Sequence, residues 1–199
     1  MFYNNPYGAW ADAGQQPSAA WGESVPPPSI FGALPTPSMS PSPNMAVFHA
    51  TSFSPTIFNS TVVGPQGQVY FHIVTDNELS GYTVFKDAQN KSVALIEWKT
   101  PPTVELRGVM SGSARSWLKL SPDRSSRSME IRGMRYTWAP HNQAINLYVG
   151  EGHSATFLAR VSRTKSSLAM ELTPHASQLG LLNSIVVAAF LLQCGRNID

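Results

Sequence analysis

A mainly β domain built around one apolar C-terminal helix, and preceded by an irregular tail, is the fold class that this 199-residue sequence predicts. Three observations predict it. Residues 174–194, PHASQLGLLNSIVVAAFLLQC, carry no charge and are apolar on every side at 100° per residue, which leaves no face for water. Residues 58–173 fall into short runs of alternating polarity, rich in Val, Ile, Phe, Tyr and Trp and separated by turn signals. Residues 1–57 hold ten of the sixteen prolines and only two charges, Asp12 and Glu23.

The tail has no period that a helix or strand could use, so residues 1–57 are expected to be disordered and residues 58–199 to form the domain. Its aromatics, among them Trp10, Trp21, Phe31 and Phe48, outnumber those of a plain solvating linker. Thr36-Pro37, Ser40-Pro41, Ser42-Pro43 and Ser54-Pro55 offer sites for proline-directed phosphate. The first residues, MFYNNPYGAW, have neither a basic n-region nor an apolar h-region, and Cys194 is the only cysteine. A cytoplasmic, reducing location is therefore expected, peripheral to membranes if lipid is a ligand.

Eleven strands are expected in the domain, at 58–63, 68–75, 81–86, 92–98, 104–107, 117–120, 128–132, 134–138, 145–149, 155–162 and 168–173. Gly64-Pro65-Gln66-Gly67 and Asp87-Ala88-Gln89-Asn90 supply turns. Met134, Tyr136 and Trp138 alternate with Arg135 and Thr137, and Ile145, Leu147 and Val149 with Asn146 and Tyr148, so one face of each strand needs a core. A sheet of so many strands must split into a sandwich or close into a barrel to avoid open edges. Thr173-Pro174 then starts the helix and Gly195 stops it.

The helix could instead anchor the chain in a bilayer. Its uninterrupted apolar part, Leu179 to Leu192, spans about 21 Å, against the roughly 30 Å of a hydrocarbon core. Asn183 lies within it, and Arg196 beside Asp199 is a poor positive flank. Enclosure by protein is the expectation, and a tail anchor its alternative.

Charge is unevenly placed. All 14 bases and ten of the 12 acids fall after residue 57, so the domain carries +4 and the tail −2. That excess is too small to require nucleic acid. The densest basic stretch is Arg115, Lys119, Arg124, Arg127, Arg132 and Arg135, interleaved with Ser113, Ser116, Ser121, Ser125, Ser126 and Ser128. Arg forks and Ser hydroxyls are the donors that a phosphate site uses, which makes the six bases the candidate anion-binding residues. Arg160, Arg163 and Lys165 form a second basic cluster on an expected hairpin. The five histidines are scattered, the acids show no pairing, and no phosphate loop, dinucleotide fingerprint or nucleophile elbow occurs. No catalytic residue, metal site or cofactor is expected.

Five stretches stand out: YFHIVTD (Tyr70 to Asp76), VALIEW (Val93 to Trp98), Trp117-Leu118, MRYTW (Met134 to Trp138) and the terminal LLNSIVVAAFLLQCGR. Through them residues 58–199 resemble a fungal domain family of unknown function in the Tubby C-terminal-like superfamily, which also includes phospholipid scramblases and plant LURP-one-related proteins. The resemblance implies a closed antiparallel barrel of about twelve strands threaded by the hydrophobic helix. It implies no common activity. Tubby-like members bind phosphoinositide head groups through basic residues, and scramblase-like members are associated with membranes and calcium. No positional motif for either is present: Asp76, Asn77 and Glu78 lack the Gly and the bidentate Glu of a calcium loop.

Together the residues and the resemblance suggest a non-enzymatic binding module for anionic lipid head groups or a phosphorylated partner. The alternatives are an interaction barrel with no small ligand, or a tail-anchored protein.

Overall fold

A computed structural model describes residues 44–51, 56–75, 81–150 and 152–199. Most of the expected tail lies outside them, as do Asp76, Asn77 and Glu78. The described chain forms one antiparallel sheet of thirteen strands.

Its first seven strands are β1 (Ala46–Thr51), β2 (Ser60–Val63), β3 (Val69–Thr75), β4 (Tyr82–Asp87), β5 (Ser92–Glu97), β6 (Thr103–Leu106) and β7 (Met110–Ser113). A short helix, α1 (Ala114–Trp117), leads to β8 (Lys119–Leu120), β9 (Arg127–Ile131), β10 (Met134–His141), β11 (Ala144–Val149), β12 (Thr156–Arg163) and β13 (Leu168–Leu172). Two helices end the fold, α2 (Pro174–Gln178) and α3 (Leu182–Gln193).

The strand order is β7-β6-β5-β4-β3-β2-β1-β13-β12-β11-β10-β9-β8. Two meanders therefore meet along a β1–β13 seam, where Phe48 lies opposite Met170 and Ala50 opposite Leu168. Tight turns fix the registers. Asp87 Oδ1 accepts from the N–H groups of Gln89 and Lys91 at 3.0 and 2.9 Å, and Arg132 and Gly133 both take positive φ, 53° and 77°, in the two-residue turn between β9 and β10.

Four expectations are corrected. Ordered sheet begins before residue 58: β1 lies inside the stretch read as tail, yet it is the middle strand, with Phe48 and Ala50 buried. Six residues between proline-rich flanks were too few to show a period. β7 also had no signal, because MSGS contains a single apolar side chain.

The third correction concerns closure: the sheet is not a closed barrel, and β7 and β8 remain as its edges. Ser113 turns the chain out of β7 by accepting the Ser116 N–H at 3.1 Å, and the α1 that it caps packs against β7, β8 and β9. Of the strand expected at 117–120, Trp117 belongs to that helix and Leu118 is its C-cap, which leaves Lys119–Leu120 as β8.

The fourth correction is that the single helix over 174–194 is two. Gly180, at φ +66°, reverses the chain in a Schellman motif, with Leu181 N–H donating to the Ala176 carbonyl at 3.2 Å and Gly180 N–H to that of Ser177 at 3.0 Å. Thr173 caps α2 as expected, its hydroxyl accepting the Ala176 N–H at 3.2 Å.

The long helix is enclosed by protein. Every residue of α3 from Ser184 to Gln193 is buried. Phe190 meets Phe85 edge-on at 5.2 Å and Phe58 at 5.4 Å, and the inward rows of the strands, including Val62, Ile96, Trp138, Leu147 and Val161, complete the core. Among the described residues no helix is long and apolar enough to cross a membrane.

Candidate functional site

The six candidate anion-binding residues divide by the geometry of their elements. Arg127 begins β9 on its inward face, in register with Met129 and Ile131, and is wholly buried. Its guanidinium donates to both Asp199 carboxylate oxygens, at 3.0 and 2.6 Å, and to the Leu118 carbonyl at 2.7 Å. This planar fork serves the fold, so its assignment to an anion site is corrected.

The other five are exposed. Arg115 stands on α1, Lys119 on the edge strand β8 opposite Ser128, and Arg124, at φ +59°, in the turn between β8 and β9. Arg132 tips the β9–β10 turn, and Arg135 lies opposite Glu130. Because β9 is five residues long, the turns carrying Arg124 and Arg132 are separated by roughly 17 Å of strand. The five make a dispersed basic face.

Four of the serines between them are committed to local structure. Ser113 caps α1, and the Ser116 hydroxyl donates back to the Ser113 carbonyl. Asp123 accepts from the hydroxyls of Ser121 and Ser125 at 2.5 and 2.7 Å, and these bonds, the Ser121 one foremost, lower its pKa to about 2. The Arg–Ser pattern thus encodes a cap and a turn.

The second cluster separates as well. Arg160 projects outward, its Nε donating to Asn146 Oδ1 at 3.4 Å and its guanidinium 5.9 Å from the Phe157 ring. Arg163, three residues on, donates to the Gln193 carbonyl in the last turn of α3. Lys165 is exposed in the β12–β13 turn.

One arginine outside both clusters, read in the sequence only as a poor membrane flank, also finds a defined place. Arg196 lies over the rings of Phe58 and Trp98, 4.3 and 4.6 Å from their centroids, and burial lowers its pKa. With Arg127 and Arg163 it gathers at the end of the fold where α3 stops, around the buried Ile198 and the partly exposed Asp199. Nothing in the spacing of positions 58, 98 and 196 could have announced that meeting. Cys194 lies beside it, its thiol donating to the Leu191 carbonyl at 3.3 Å and pushed up to about 11 by burial.

The sequence profile of a family of unknown function, DUF6593, matches residues 54–197, well over half of the chain. The chain belongs to that family. The DUF6593 match begins after β1 and ends before Ile198 and Asp199, so the folded unit is wider than the matched stretch at both ends. No curated protein matches the chain. A solved structure of a protein from Arabidopsis thaliana is similar at 12% identity and a TM-score of 0.45, over 76% of this chain and 93% of that one.

For chemistry the inventory is short. Among the described residues no group of three or more His, Cys, Asp or Glu side chains is placed to hold a metal ion. On α1, β8–β10 and their turns the DUF6593 domain exposes five of the six candidate bases, with Asp123 and Glu130 among them.

Proposed function

We propose that the domain is a non-enzymatic binding module that engages anionic lipid head groups of the phosphoinositide type at a cytoplasmic membrane face, through Arg115, Lys119, Arg124, Arg132 and Arg135. One observation carries the reading: five of the six candidate bases remain exposed, on neighbouring elements, while α3 fills the interior where a small ligand would otherwise sit. The resemblance to the Tubby C-terminal-like superfamily supports it. A dispersed face suits a charged surface better than a single phosphate, because attraction to anionic lipid accumulates at about 1 kcal/mol per Lys or Arg near the membrane.

Vesicle co-sedimentation tests the reading. Reversing Arg115, Lys119 and Arg124 to Glu removes at least ~3 kcal/mol on that scale, a loss of roughly 100-fold in affinity for anionic vesicles, with folding unchanged by circular dichroism. Binding should also weaken as salt rises. Affinity unaltered by the triple reversal, or no binding at physiological salt, refutes the proposal. Binding to phosphorylated peptides with none to vesicles would transfer the face to a protein partner.

A further inference from the structure

At the opposite end of α3 from the arginines lies an open groove of about 340 Å³, within the range of ligand clefts. Ala46 and Phe48 of β1, Pro65, Gln68, Tyr70 and Leu182 line it, and no lining residue is charged. The Tyr70 ring is set in advance. A Cβ on Gly64 would come 2.3 Å from it, so glycine lets the ring lie flat against the backbone. Phe48 meets that ring edge-on at 5.0 Å, and Gln68 Nε2 donates to its hydroxyl at 3.2 Å. The helix α3 begins here without a side-chain cap, so N–H donors of its first turn face this end.

These properties select a ligand that is uncharged, apolar and rich in carbonyl acceptors. We propose that the groove is occupied by residues 35–43 of the same chain. That segment, PTPSMSPSP, has four prolines in nine residues and no charge; indeed residues 24–45 carry none. Prolines favour the polyproline II helix, whose backbone offers acceptors and whose rings dock on aromatic platforms. Pro37 and Pro43, six residues apart, fall on one side of such a helix two turns apart. Connection does the rest: Pro43 is three residues from Ala46 on the groove's rim, a span of at most ~11 Å, so the segment is held at high effective concentration. This inference is independent of the basic face.

The test uses the full chain with photoreactive benzoylphenylalanine in place of Gln66, an exposed residue on the rim. Irradiation at low protein concentration is expected to give intramolecular adducts that mass spectrometry places within residues 33–45. Replacing Pro35, Pro37, Pro41 and Pro43 by Gly should abolish them while leaving the circular dichroism of the sheet unchanged. Adducts confined to other parts of the chain, adducts formed between two copies, or adducts that persist after the proline replacement would each overturn the proposal.

Discussion

Where α3 ends, Arg127 pairs with Asp199, Arg163 donates to the last-turn carbonyl and Arg196 covers Phe58 and Trp98; where α3 begins, there is no side-chain cap and an uncharged groove stays open. The same buried helix is thus finished with charge at one end and with aromatic and apolar side chains at the other. The difference follows from what each terminus presents. Carbonyls at a helix C-terminus attract cations, and three arginines are at hand. Arginines gathered in this way are consumed by the fold, which is why counting bases along the chain overstates the ligand-binding set. The N-terminal end, with neutral donors and a preset tyrosine, is the end with something left to bind.

The sharpest way to break this contrast is at the ion pair. Arg127 has no exposed side-chain surface, whereas that of Asp199 is 23% exposed. Asp199→Ala would leave a buried guanidinium without its counter-charge and is expected to cost about 3–5 kcal/mol. Arg127→Met would leave a carboxylate that can turn to water, and should cost about 1–2 kcal/mol. Urea denaturation of the two variants measures the gap. Equal losses would mean that packing of Ile198, and not charge, closes this end.

The next effect is at the open end. Gly64→Ala forces the Tyr70 ring away from a Cβ that would otherwise sit 2.3 Å from it, and overpacking of this kind costs about 1–3 kcal/mol. Gly81→Ala, where no atom lies within 4 Å of the added carbon, should stay within about 0.5 kcal/mol. A Gly64 variant as stable as the Gly81 variant would show that the ring is not held in place, and the preset groove would lose its basis.

Much of this architecture is legible in the sequence where a physical rule acts locally. Alternation places Tyr136, Trp138, Leu147 and Val161 inward, and the uncharged run into Cys194 requires enclosure. Thr173-Pro174 announces α2. Gly180 announces the break as well, but its place in a small-residue stripe with Ser184 and Ala188 hides the left-handed turn. β1 is illegible for another reason: one of its two partners, β13, comes from the far end of the chain, so its place in the middle of the sheet is tertiary and AVFHAT alone is too short to show it. The site is less legible still. Whether an arginine reaches solvent depends on strand parity and on the last residue of the chain: Arg127 faces inward and meets Asp199, 72 residues away, while Lys119 faces out.

Cys194 gives the smallest effect and the finest probe of which end opens first. It lies half-buried at the arginine-lined end, and desolvation raises its thiol pKa to about 11 against the lowering influence of Arg196. A raised pKa means that the folded state holds the proton more tightly. The resulting stabilisation is complete below the unfolded thiol pKa of about 8.5 and is lost as pH climbs toward 11. At pH 8 the folded thiol should therefore react with a disulfide reagent at least ~100-fold more slowly than the urea-unfolded chain. Asp199→Ala should accelerate labelling by loosening the segment after Gly195, whereas Gly64→Ala, at the far end of α3, should leave the rate unchanged at equal global stability. If both variants accelerate labelling in proportion to their loss of stability, the thiol is reached through global unfolding and the two ends are not independent. Acceleration by Asp199→Ala alone would establish that the charged end opens as a local unit.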